Sequence, residues 1–96
     1  MFDYNDEIKH NISVAAYFLA QKALPYEKLC WMLAERQLYL QNNFQKPEEG
    51  IIRDYARHIF TTEPTYDVLC WLISEIDYIL KINNFKGNKK PSFIFP

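Results

Sequence analysis

One stretch of this chain occurs nearly twice, and that repetition limits what the chain can fold into. YEKLCWMLAERQLYLQNN begins at Tyr26 and YDVLCWLISEIDYILKINN begins at Tyr66. At an offset of 40 residues, Tyr26/Tyr66, Leu29/Leu69, Cys30/Cys70, Trp31/Trp71, Glu35/Glu75 and Leu40/Leu80 coincide. Met32/Leu72 and Leu33/Ile73 are conservative exchanges. Both copies place apolar residues at helical spacing, so the repeat predicts two related helical hairpins.

The remaining elements follow from spacing and punctuation. Ile8, Ile12, Ala15, Ala16, Leu19 and Ala23 form an apolar stripe, with Asn5 or Asp3 as cap and Asp6 and Glu7 as first-turn acids; this predicts a helix over about 5–23. Pro25 suits the first turn of a second helix, about 25–41, which ends at Asn42 and Asn43 and is apolar on more than one face. Pro47, Glu48 and Glu49 open a third helix, about 47–60, with Ile52, Tyr55, Ala56 and Ile59 inward. Thr62 and Thr65 are candidate caps for a fourth, about 64–84, whose stripe is Leu69, Leu72, Ile73, Ile76, Ile79 and Leu80. Lys86, Gly87 and Pro91 end helix formation, and residues 86–96 are expected to form a short extended tail that buries Phe93 or Phe95 on the bundle. The expected fold is one all-α domain over residues 1–96. It is an antiparallel four-helix bundle of two related hairpins, in which short connections set sequential helices side by side.

Composition narrows the function classes. With 49% apolar residues the chain can build a core, but 96 residues leave no room for separate cofactor and substrate domains. Gly50 and Gly87 are its only glycines, which excludes phosphate-cradling glycine loops, and no cofactor is expected. Cys30 and Cys70 sit at matching apolar positions and read as buried thiols in a reducing compartment. With His10 and His58 they could supply four zinc ligands, but no pair has the close spacing of such sites. His58 near Asp54, Arg53 and Arg57 reads as a small acid–base or phosphate-binding cluster or as a solvated helix face, and acid–base work needs a concave pocket that a compact bundle rarely offers. No run approaches the length of a membrane span, no leader opens the chain, and a cytoplasmic, non-enzymatic protein is expected.

Charge supplies the sharper expectation. Net charge is −1, yet residues 47–80 hold seven acids against Arg53 and Arg57, and Lys81, Lys86, Lys89 and Lys90 follow. Glu63, Asp67, Glu75 and Asp77 are expected to present uncompensated negative charge, with Trp71 and Tyr78 as aromatic anchors of a partner-binding face. Trp31 and Tyr39 are further candidates. Direct nucleic-acid binding is not expected, because the basic pairs are few and the body is acidic.

Residues 15–40 resemble the opening of colicin D-type immunity proteins, which are related to small helical immunity proteins against contact-dependent growth inhibition toxins. The matching residues are Phe18, Leu19, Ala20, Lys22, Glu27, Glu35, Arg36, Leu38 and Tyr39. The resemblance implies a helical bundle that neutralises the C-terminal nuclease domain, typically a tRNase, of a bacterial toxin by covering its basic cleft. The other readings are a helical interaction or regulatory module, such as a phage-borne inhibitor, and a small enzyme using His58.

Overall fold

A computed structural model describes residues 6–85 of the chain, with side chains through Ile82. It contains α1 (Asp6–Gln21), α2 (Tyr26–Gln41), α3 (Glu49–Thr62) and α4 (Tyr66–Phe85), with no strand among the described residues. This is the expected all-α four-helix architecture of two related helix pairs. The expected burial of Phe93 or Phe95 falls on residues outside those described.

The helix ends show local chemistry at work. Each of the first helices in the two pairs stops at a residue in the left-handed region, Ala23 (φ 53°) and Glu63 (φ 54°), which lie 40 positions apart. A Cβ is unfavourable in that conformation, yet the turn redirects the chain into the proline-containing connection. Pro25 takes the N-cap position instead of the first turn, and its carbonyl accepts from the Leu29 amide at 3.1 Å. Thr62 is the last residue of α3 rather than a cap of α4, its hydroxyl donating to the Ile59 carbonyl at 2.7 Å. Thr65 does cap α4, accepting from the Val68 amide at 3.2 Å. At the end of α2 the Phe44 amide returns to the Tyr39 carbonyl at 2.9 Å, with Asn43 and Phe44 both left-handed.

The repeat is deeper than its Tyr-to-Asn core. At the same offset Ile12 matches Ile52, Ala16 matches Ala56 and Leu19 matches Ile59, so α1 and α3 are also copies. All of these pairs turn inward, and Leu29, Leu69, Cys30 and Cys70 are among the most completely buried side chains. Both cysteines are free thiols.

The two copies are related by an approximate two-fold axis. The Tyr26 hydroxyl, at the start of α2, donates to the Pro64 carbonyl before α4. Its counterpart Tyr66, at the start of α4, donates to the Leu24 carbonyl before α2 at 2.6 Å. Farther along, Arg36 of α2 bonds Asp77 of α4. Contacts start-to-start and then about a dozen residues on make α2 and α4 a parallel central pair.

Neighbour relations therefore differ from the expected side-by-side sequence. Helices pack as α2 on α3, α1 on α4 and α2 on α4, while α1 does not pack along α2, nor α3 along α4. Phe60 near the end of α3 meets Tyr26 at the start of α2, rings 5.5 Å apart, so that pair is antiparallel. Asn11 and Ile12 share a small pocket with Tyr78 and Lys81, so α1 runs antiparallel to α4. Each helix pair leaves its own members apart and is completed by the other pair.

Two outcomes follow. Leu29→Ala or Leu69→Ala, at the fully buried seam, should lower unfolding free energy by about 2–5 kcal/mol in denaturant titration. Ala23→Gly and Glu63→Gly should each raise it by about 1 kcal/mol with an unchanged denaturant slope, because glycine removes the left-handed penalty.

Candidate partner-binding faces

Side chains on α4 repeat their direction every three or four residues, so Asp67, Trp71, Glu75 and Tyr78 share one outward stripe. Asp67 is exposed and the other three are half-buried, which keeps an aromatic surface and a carboxylate partly accessible together. Glu63 is exposed in the turn just ahead of the helix. Four of the six expected contact residues thus form one face, and a fifth stands at its end.

Asp77 departs from that face. At about 100° per residue it points some 200° round the helix from Glu75, toward α1 and α2. There its Oδ1 accepts from Arg36 Nε at 2.8 Å, and Arg36 Nη1 also donates to the Met32 carbonyl at 3.2 Å. Arg36 is only 4% exposed, so this carboxylate balances a buried cation and is not free negative charge. Loss of water pushes the Asp77 carboxyl above its usual range, against the pull of the Arg36 guanidinium. The expectation of four uncompensated acids is corrected here, because Asp77 has its partner 41 positions away in sequence, beyond the reach of local spacing.

Glu75 and its copy Glu35 give an internal comparison. Burial raises both carboxyls, but Glu35 is drawn back by Arg36, Lys46 and Lys28, whereas desolvation alone acts on Glu75. The repeat explains the difference, since Lys28 and Arg36 are replaced by Val68 and Ile76 in the second copy. Glu75 makes no ion pair among the described residues. It is a partly dehydrated carboxylate one helical turn from Trp71.

The opposite flank is a groove of about 700 Å³ where α1 and α2 part above α4. Phe18 and Lys22 form one wall, Lys28, Trp31 and Glu35 the other, and the Arg36–Asp77 pair lies at its inner end. Lys22 has Thr62 as its copy, so all the cations of this flank belong to the first copy alone. Trp31 lines this groove as well as offering an aromatic anchor, and the sequence signal for the groove is the contrast in charge between the two copies. Tyr39 is not a rim anchor, being 5% exposed with its ring edge-on to Phe44 at 5.7 Å.

Other candidates are dispersed. His58 is exposed and stacked on Tyr55 at 6.3 Å, and Asp54 lies 3.8 Å from Arg57 in a solvated pair. Among the described residues no three His, Cys, Asp or Glu side chains come together to hold a metal. Burial pushes both thiols above their usual range, which suppresses the thiolate. No described helix is long and apolar enough to cross a membrane. Compared with known families, characterised proteins and solved structures, the chain matches none.

The Arg36–Asp77 pair makes a measurable asymmetry in the seam, because its two-fold counterparts are Ile76 and Gln37. Asp77→Gln should cost roughly 1–3 kcal/mol by removing the carboxylate that accepts from the buried guanidinium's Nε. Adding Arg36→Ile to Asp77→Gln, which copies the other side, should recover most of the loss in a double-mutant cycle.

Proposed function

We propose that this chain is a non-catalytic binding protein of the immunity kind, which receives the basic nuclease domain of a toxin on the outer face of α4. The observation that carries the reading is Glu75, a half-buried carboxylate one helical turn from Trp71, whose copy has cations nearby and which itself has none among the described residues. A carboxylate held out of water without a counter-charge is unfavourable in the free protein and becomes favourable when a partner brings Arg or Lys. Trp71 offers its ring to the same cation, and Asp67 and Glu63 add long-range attraction. A ribonuclease presents such cations in the cleft that holds RNA phosphates, so occupying them blocks the substrate. The resemblance of residues 15–40 to colicin D-type immunity proteins supports the same reading, and that role belongs in the cytoplasm.

The lysine-lined α1/α2 groove favours a second reading, a regulatory helical module engaging an acidic protein segment through Lys22, Lys28 and Trp31. The sign of the partner's charge separates the two.

Protection assays test the proposal directly. Cells producing this protein should survive expression of the nuclease domain encoded beside its gene, and Asp67→Lys with Glu75→Lys should abolish survival while leaving protein level unchanged. Survival undiminished by that double change, or lost on Lys22→Glu with Lys28→Glu instead, would overturn the α4 face.

Glu75 also predicts a pH signature. Its folded carboxyl binds protons more readily than the unfolded one, so stability falls as pH rises from the ordinary carboxylate range through its raised value. Glu75→Gln should flatten that slope and raise the melting temperature at neutral pH, while weakening the toxin complex. An unchanged slope would remove the desolvation argument.

A further inference from the structure

The outer face of α1 is apolar where it has no helix to cover it. Val14, Tyr17 and Phe18 lie on the side of α1 opposite Ile12 and Leu19, and Tyr17 and Phe18 are 61% and 60% exposed with their rings edge-to-face at 5.5 Å. The two-fold copies of these three positions on α3 are Asp54, Arg57 and His58, all exposed. One scaffold thus presents the same site twice, once with residues suited to water and once with residues that are not. Contiguous exposed aromatics of this kind mark a covered surface.

We propose that the cover is the chain's own segment 86–96, running back along α1 and placing Phe93, Ile94 and Phe95 on Val14, Tyr17 and Phe18. Position argues for it. Asn11 and Ile12 stand level with Tyr78 and Lys81 in antiparallel helices, so one further turn brings the end of α4 at Phe85 level with the first turns of α1. Reach argues for it as well. Eight residues from Phe85 to Phe93 span up to about 26 Å when extended, whereas the ten residues from Ile8 to Phe18 rise only about 15 Å along the helix.

Charge sets the direction. The segment leaves α4 with Lys86, Lys89 and Lys90 and only then turns apolar, and the first residues it passes are Asp6 and Glu7, both exposed at the start of α1. Basic residues meet acids and aromatic residues meet aromatics in the same order. The five residues that precede α1 contain Phe2 and Tyr4 but no cation, so they match the apolar half of the surface and not the acidic half. This inference is independent of the toxin partner and is tested without one.

The full chain provides the test. A nitroxide attached through Ser92→Cys labels that position selectively, because Cys30 and Cys70 are buried. Amide signals of residues 14–18 should lose intensity in the labelled chain, and Phe93→Asp with Phe95→Asp should restore them while the far-ultraviolet circular dichroism stays helical. Loss at residues 67–78 instead would place the lysines on the acidic face of α4 and overturn the proposal. No localised loss would overturn it too, as would a loss appearing between labelled and isotope-enriched copies, which would mean docking on a second chain.

Discussion

Everything in this fold hangs on the seam between α2 and α4. Leu29, Leu69, Cys30, Cys70 and Ile73 are all but sealed from water there, and each fully buried branched side chain contributes about 1.5–3 kcal/mol. The crossed hydrogen bonds of Tyr26 and Tyr66 contribute less, about 0.5–1.5 kcal/mol each, but they are directional where burial is not. Burial therefore holds the two copies together and the tyrosines fix their register. The carbonyls they satisfy, at Leu24 and Pro64, are ones the helices cannot use, since each lies in the turn where its pair of helices is broken. The same turn that separates two sequential helices thus supplies the acceptor that joins the copies.

How the helices are made was readable from sequence; how they meet was only partly so. Helix count, the two-copy pattern, the inward cysteines and the Thr65 cap follow from spacing and local hydrogen-bonding chemistry, which act within a few residues. Packing order does not. A four-residue connection between α1 and α2 looks like a tight hairpin, but the left-handed Ala23 and the extended Pro25 turn α2 away from α1. Arg36 reads as a surface charge on a helix, and only the parallel arrangement of α2 and α4 brings Asp77 to it. The acidic face is smaller accordingly, since Asp77 turns to the α1/α2 side and pairs with Arg36 while Asp67 and Glu75 stay on it.

Two-fold repetition also makes the surfaces interpretable, because each position has a control elsewhere in the same molecule. Most buried positions remain paired in type, Ile12 with Ile52, Leu19 with Ile59 and Leu33 with Ile73, with Arg36 against Ile76 the exception among buried pairs named above. Differences collect where side chains meet solvent or flank the seam. Lys22, Lys28 and Arg36 stand against Thr62, Val68 and Ile76, and Val14, Tyr17 and Phe18 against Asp54, Arg57 and His58. A packed interior tolerates little change in volume, whereas outward positions are free to acquire separate roles.

The interleaved packing has a consequence for synthesis. Among the described helices α1 packs along α4 alone, and α4 follows it by two helices. As the chain leaves the ribosome, α2 can fold against α3 at once, but α1 must wait with Ile12 and Leu19 uncovered until α4 has been made. Its capture closes the longest loop in the fold, the slow kind of contact in a helical protein. A newborn chain is therefore most vulnerable to chaperone binding, or to exchange of α1 with a neighbouring polysome's product, in that interval.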